Sequence, residues 1–283
     1  MNATNSVRPS PIAGTWYSAN PRQLQGTVDH FIENAQLPDL PGEVIALVTP
    51  HAGYQYSGQV AGYAFKSVVG KTFDYVVILS PMHQYYPQNL LTTAHRAYRT
   101  PLGDIPVAQS RLRKINQALM DKTNLSLTPV ANDREHSLEI ELPFLQRALE
   151  GPFELIPIML RSQNRQVSRI LGKILAEIFR GDSCLFVASS DLSHFYPEST
   201  ANQLDQRVLA ALAEFSPETL FDLQETGEGQ ACGLPAITSI LWAARELGAA
   251  NVTVLSYDTS ASATGDRSSV VGYGAAAITQ PLE

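Results

Sequence analysis

Cysteine is scarce in this chain of 283 residues, which contains only Cys184 and Cys232. Two cysteines cannot form the dense disulfide framework on which small secreted domains depend. The first ten residues carry no apolar core, so we do not expect a secretory signal. No apolar run reaches the roughly 20 residues that a membrane-spanning helix requires. Together these absences predict a cytoplasmic protein with free thiols and no membrane partner.

Positive charge is scarce as well. The chain has 20 lysines and arginines against 27 acidic residues, which gives a net charge of −7. A nucleic-acid partner requires a basic surface that neutralises phosphates, so we expect no such partner. Hydrophobic residues make up 44% of the chain and charged residues 17%, proportions that are typical of a globular protein with a full core.

Apolar runs of strand character alternate with amphipathic helical patterns along most of the chain. This alternation predicts a single α/β domain over residues 1–283, with a mainly parallel central sheet and helices on both faces. A strand is predicted over 154–160 and a helix over 167–179. Ser57 is predicted to cap the start of another helix, and residues 98–106 are predicted to form a loop.

Three of the strand patterns end in a histidine, at His51, His83 and His194. In an open α/β sheet, ligands bind beyond the carboxyl ends of the strands. A lone histidine at such a place can simply cap a turn, but several on neighbouring strands favour a metal or proton-transfer site. Asp191 lies three residues before His194, so the two would share a face if this segment turned helically.

Cys232 lies among glycines near the predicted start of a helix. A helix N-terminus lowers the pKa of a thiol and favours the thiolate, which binds metals and attacks electrophiles. A small buried residue in a tight turn explains the same pattern equally well. Cys184 lies inside an apolar strand and is predicted to pack in the core.

Two further segments could border the same site. His136 stands between Glu135 and Glu139 at a predicted helix start, where it could line the pocket or cap the surface. Trp16, in a proline-containing segment near the N-terminus, is expected to pack on a domain surface or a pocket rim.

Several motifs spread along the chain together resemble the Memo family, whose microbial members are called AmmeMemoRadiSam system protein B. The motifs are Arg8-Pro9, Ala13-Gly-Thr-Trp-Tyr17, Pro50-His-Ala-Gly-Tyr-Gln-Tyr-Ser-Gly58, Ser80-Pro-Met-His83, Glu135-His-Ser-Leu-Glu-Ile-Glu-Leu-Pro-Phe-Leu145, Ser189-Ser-Asp-Leu-Ser-His-Phe195 and Ala231-Cys-Gly233. They follow one another over nearly the whole length, so the resemblance covers the entire predicted domain.

The resemblance implies a fold similar to that of class III extradiol, LigB-type dioxygenases. It implies a metal pocket made of His51, His83 and Cys232, with Asp191 and His194 beside it as catalytic groups. Those dioxygenases hold non-haem Fe(II) with two histidines and a carboxylate. A thiolate in place of the carboxylate is a softer ligand, which shifts the preference toward copper(I) or zinc.

Three functions are therefore open at this stage. The first is a metal-dependent oxidoreductase that uses iron or copper, with Asp191 orienting the site and His194 moving a proton. The second is a non-catalytic module that binds a small molecule, a peptide or another anionic ligand in a cleft rimmed by Trp16, Tyr54 and Tyr56, which His136 could also line. The third is a zinc-dependent hydrolase. The resemblance also implies a functional association with radical-SAM and AMMECR-type proteins.

Overall fold

A computed structural model describes residues 6–282 of the chain. The strands are β1 (Val7–Arg8), β2 (Glu43–Thr49), β3 (Tyr75–Pro81), β4 (Leu90–Thr93), β5 (Ala97–Thr100), β6 (Gly103–Pro106), β7 (Leu127–Val130), β8 (Glu154–Leu160), β9 (Cys184–Ser189), β10 (His194–Tyr196), β11 (Asn251–Thr259) and β12 (Val270–Gln280). The helices are α1 (Pro21–Asn34), α2 (Tyr54–Lys66), α3 (Gln109–Lys122), α4 (Leu142–Ala148), α5 (Arg165–Phe179), α6 (Glu198–Ala213), α7 (Pro217–Thr226), α8 (Leu234–Glu246) and α9 (Ala261–Thr264), and a 3-10 turn, Glu139–Glu141, precedes α4.

The described residues form a central sheet of nine strands in the order β10-β12-β2-β9-β3-β8-β4-β7, with β11 paired to β12. The neighbours β2, β9, β3 and β8 are parallel, whereas β12 is antiparallel to β2 and β4 is antiparallel to β8. Residues 76–79 of β3 are fully buried, as expected for parallel strands that helices cover on both faces. The predicted α/β fold is confirmed, and its sheet is mixed, with a parallel centre.

Two groups of helices flank the sheet. Helix α1 packs on α2 and α4, and α5 packs on α8 and α3. The contact between α5 and α8 depends on Gly172, because a Cβ atom at that position would lie 2.4 Å from the carbonyl oxygen of Ser239. Within residues 6–282, no helix is both long enough and apolar enough to cross a membrane.

Three local predictions need correction. Residues 98–106 form β5 and β6 of a small three-stranded sheet with β1, not a loop. Helix α2 begins at Tyr54, so Ser57 lies inside it, where its hydroxyl donates to the carbonyl of Ala52. Residues 190–193 between β9 and β10 form no helix, so Asp191 and His194 do not share a helical face. The strand Glu154–Leu160 and the helix that ends at Phe179 are confirmed.

Candidate metal centre

The carboxyl ends of three adjacent parallel strands bring candidate ligands to one edge of the sheet. His51 lies two residues beyond the end of β2, His83 two residues beyond β3, and Asp191 two residues beyond β9. Strand β9 lies between β2 and β3. The three side chains are therefore delivered to one place by the same geometry, as expected for ligands of an open α/β sheet.

A third imidazole joins His51 and His83. Ring nitrogens of His51, His83 and His136 lie within 4.8 Å of one another. The rings of His83 and His136 are stacked at 4.6 Å, and His51 meets each of them edge-on at 5.4 Å. Nitrogen ligands about 2.1 Å from one ion are at most about 4.2 Å apart, so the rings fit a common ion after a small approach. His136, predicted to border the ligand cleft, therefore lies among the candidate ligands.

His83 is oriented by a buried carboxylate. Oε1 of Glu135 accepts from Nδ1 of His83 at 2.8 Å, and Oε2 accepts from the backbone N–H of His83 at 2.6 Å. This arrangement leaves Nε2 of His83 for an ion, as in many metal-binding histidines. Burial disfavours the imidazolium, but the hydrogen bond and charge of Glu135 outweigh it and raise the pKa of His83. Burial of Glu135 favours its protonated form, but the hydrogen bond and charge of His83 favour the carboxylate and are the stronger effect. The pKa of Glu135 therefore lies well below its usual range.

His51 is held by a different chain of contacts. Its Nδ1 lies 2.9 Å from Oγ of Ser189, and that Oγ lies 2.8 Å from Oε1 of Glu141. Burial, together with the neighbouring imidazoles, lowers the pKa of His51 well below its usual value. The ring is therefore neutral, which is the form that binds metals. Nothing in the sequence around Glu141 indicated this role, because the residue lies in an irregular segment before α4.

Cys232 lies directly against His51. Its Sγ is 3.2 Å from Nε2 of His51, close to the separation of about 3.5 Å expected for neighbouring sulfur and nitrogen ligands of a tetrahedral ion. Gly233 allows this approach, because a Cβ there would lie 2.3 Å from the carbonyl oxygen of Ser189. The expected lowering of the thiol pKa by the helix start is wrong. Burial and the charge of Asp191 raise the pKa of Cys232.

The two groups predicted to be catalytic stand beside this cluster. Oδ2 of Asp191 is 3.9 Å from Nε2 of His51, and its Oδ1 accepts from the backbone N–H of His51 at 2.8 Å. Burial raises the pKa of Asp191 to about 7. Nδ1 of His194 lies 2.9 Å from the carbonyl oxygen of Leu192, and burial lowers the pKa of His194. Their catalytic roles stay predictions.

A cavity of about 780 Å³ is linked to the cluster through Trp16, although none of the candidate ligands lines it. Trp16 lines the cavity and stacks on His136, with ring centroids 4.1 Å apart. Tyr54 also lines it, as do Ala52, which follows His51, and Phe195, which follows His194. The structure thus brings the predicted ligand-binding residues Trp16 and Tyr54 to one cavity beside the imidazoles.

Fold and site together define an α/β protein with a candidate histidine metal centre. The family model described as Memo-like protein matches residues 8–277, and the chain belongs to this family. It is 31% identical to a MEMO1 family protein of Nitrosopumilus maritimus over 95% of this chain and 98% of that protein. A MEMO1 family protein of Methanopyrus kandleri is also 31% identical, over 95% of this chain and 97% of that protein.

A solved structure supports the fold. The crystal structure of an uncharacterized protein from Escherichia coli K12 superposes with a TM-score of 0.53, covering 82% of this chain and 98% of that one. Sequence identity is 15%, so the similarity concerns the fold alone. The resemblance to the Memo family is thus confirmed, whereas the relation to LigB-type dioxygenases stays a prediction.

Proposed function

We propose that the chain is a metal-dependent oxidoreductase whose iron or copper ion is held by His51, His83 and Cys232, with His136 as a further ligand. The observation that carries this proposal is the convergence of three ring nitrogens within 4.8 Å at the carboxyl edge of the sheet. Imidazole suits iron, copper and zinc, and an adjacent sulfur adds affinity for copper(I) and zinc.

The protonation of two of the donors, His51 and His136, fits this purpose. The pKa of His51 is lowered well below its usual value and burial lowers the pKa of His136 to about 4, so both rings are neutral near pH 7. The Nδ1 of His83 is occupied by Glu135, which directs the other nitrogen to the ion. The two neutral rings bind a cation without first releasing a proton, whereas the raised pKa values of His83 and Cys232 couple their binding to proton release.

A bound ion of this kind would supply electron transfer or Lewis-acid chemistry at the site. The chain's own contribution is to place proton carriers beside it. With a pKa of about 7, Asp191 can hold or release a proton at neutral pH. His194 is anchored by the carbonyl of Leu192 and has a lowered pKa, so its neutral ring can accept a proton from a ligand. Trp16 stacks on His136 and covers one face of that ring.

Metal analysis tests the proposal. Protein purified without chelator and then loaded anaerobically with Fe(II) or Cu(I) is expected to bind one ion per chain. His51→Ala and Cys232→Ser are each expected to lower the metal content or affinity. His30→Ala, at an exposed histidine on α1, is the matched control and should retain the ion. The assignment fails if both His51→Ala and Cys232→Ser bind as much metal as the unaltered chain.

A second candidate is non-catalytic binding of a ligand in the cavity that Trp16 and Tyr54 line, since its six aromatic residues offer a large contact surface. Ligand binding that is unaffected by removal of the metal, in a protein without redox turnover, would favour it. Zinc as the retained ion, together with activity on esters or amides, would favour the hydrolase instead. The association with radical-SAM and AMMECR-type proteins is a further proposal that co-purification tests.

A further inference from the structure

The walls of the cavity beside the imidazole cluster are aromatic and uncharged. The aromatic residues that line it are Trp16, Tyr17, Tyr54, Tyr56, Phe195 and Tyr273. Among the described residues that line this cavity, none carries a formal charge. In a chain with a net charge of −7, such a cavity offers no cationic side chain to an anionic ligand.

Several polar atoms in these walls already have partners within the protein. The hydroxyl of Tyr54 donates to the carbonyl of Ile140, and that of Thr264 donates to the carbonyl of Ser260. At the start of α2, the backbone N–H of Tyr54 donates to the carbonyl of Trp16, so this amide is not left for an anion. A charged ligand would lose its hydration here without adequate compensation.

Phe195 at the rim of the cavity is held in a conformation that its own packing does not explain. Its φ is 65°, in the left-handed region that bulky residues rarely adopt, yet its side chain is 75% exposed. It lies at the irregularity of β10 between His194 and Tyr196, and such bulges re-aim side chains next to functional sites. A strained backbone that holds an exposed ring indicates that the ring contacts a molecule outside the chain.

We propose that this cavity binds an uncharged ligand with a planar apolar part, in contact with Trp16 and Phe195, and that it rejects anionic ligands. The ligand class deepens the proposed function, because a substrate of the metal centre would be of this kind. It differs from the peptide or anionic ligand of the binding-module alternative. Binding itself depends on the cavity walls and not on a metal ion.

A matched pair of fluorescent probes tests the proposal. N-phenyl-1-naphthylamine is uncharged, and 8-anilino-1-naphthalenesulfonate has the same ring system with an added sulfonate. Fluorescence titration of the full chain, with and without chelator, is expected to give one saturable site that prefers the uncharged probe by about tenfold or more. Equal or tighter binding of the sulfonate would overturn the proposal.

Substitutions in the cavity walls test whether the probe binds in this cavity. Phe195→Ala is expected to weaken binding of the uncharged probe by about tenfold, and Phe195→Leu is expected to restore part of it. Thr264→Trp, which fills the cavity from an exposed lining position, should abolish binding. Met120→Ala, at a 54% exposed apolar residue of α3, is the control and should bind normally. Thermal melts establish that each variant is folded.

Two outcomes separate this proposal from the proposed function. If Phe195→Ala and Thr264→Trp both bind the uncharged probe normally, the probe lies elsewhere and the ligand proposal is wrong, whatever the metal analysis gives. His51→Ala should lose the ion and still bind the probe. If instead both His51→Ala and Cys232→Ser keep the ion, the metal assignment fails while the ligand proposal stands on the probe data alone.

Discussion

The two sides of the candidate metal centre hold their histidines in different ways. On the β3 side, His83 is 40% exposed at its side chain and hydrogen-bonds directly to the carboxylate of Glu135. On the β2 side, the side chain of His51 is 2% exposed and reaches Glu141 only through the hydroxyl of Ser189. We call His83 and Glu135 the charged side. We call His51, Ser189 and Glu141, which are linked by a relay of hydrogen bonds, the neutral side.

Binding of an ion by Nε2 of His51 would leave the proton on Nδ1, which constrains the other protons on the β2 side. The hydroxyl of Ser189 has one hydrogen but three neighbours, namely Nδ1 of His51, the carbonyl of Ser137 at 2.6 Å and Oε1 of Glu141. If His51 donates to Ser189 and Ser189 donates to Ser137, then Glu141 must donate as well and must be protonated. Burial raises the pKa of Glu141 well above its usual value, which agrees with this assignment.

The largest loss of folding stability is expected from replacing Arg8, which supports the charged side. Arg8 is 1% exposed, and its Nη1 lies 2.5 Å from Glu139 while its Nη2 donates to Asp133 at 2.7 Å and to the carbonyl of Glu135 at 2.8 Å. Arg8→Met would leave buried carboxylates unpaired, at a cost of about 3–5 kcal/mol in the free energy of unfolding.

Chemical denaturation measures this loss. The matched control is Arg99→Met, which removes an exposed ion pair with Asp104 and is expected to leave the free energy of unfolding nearly unchanged. Metal affinity of Arg8→Met should also fall, because the segment that carries Glu135 and His136 loses its anchor. Equal stabilities of the two variants would contradict this account of the charged side.

The contribution of the charged pair to metal binding is expected to be the next largest. Glu135→Gln removes the charge that orients His83 and is expected to weaken metal binding by about 10–100-fold. Competition titration against a chelator of known affinity measures the change. An affinity within about twofold of the unaltered chain would show that Glu135 does not act through His83.

The two sides should also titrate differently. In the metal-free chain, His83 is expected to titrate above its ordinary value of 6.5, whereas His51 stays neutral. Because the folded-state pKa of His83 is raised, its pairing with Glu135 stabilises the chain below pH 6.5, and this contribution is lost as the pH rises through the raised pKa. Nitrogen NMR of the imidazoles measures both pKa values. Glu135→Gln should lower the midpoint of His83, and an unchanged midpoint would contradict the pairing.

The smallest change in folding stability is expected from replacing Glu141 on the neutral side. If Glu141 is protonated, Glu141→Gln replaces one neutral group by another of similar shape. The free energy of unfolding should then change by at most about 1 kcal/mol, the scale of one neutral hydrogen bond. A loss as large as that of Arg8→Met in the same denaturation assay would mean that Glu141 is ionised and that the relay is charged.

The sequence predicted the parts of the site that regular structure delivers. His51 and His83 follow apolar strands, and the ends of parallel strands meet at one edge, so their approach could be inferred. Glu135 and His136 lie in an irregular segment that Arg8 holds from 127 residues away at the carbonyl of Glu135, and no local pattern encodes such a contact. The hairpin of β5 and β6 was missed for a similar reason, because it is completed by pairing with β1.

The most direct test of the metal centre is X-ray absorption at the metal edge of the chain loaded with Fe(II) or Cu(I). We predict a shell of imidazole nitrogens near about 2.0–2.1 Å and one sulfur near about 2.3 Å, by analogy with zinc distances. Both signals should be lost in His51→Ala. A shell of oxygen atoms alone, without imidazole scattering or sulfur, would contradict the assignment of His51, His83 and Cys232.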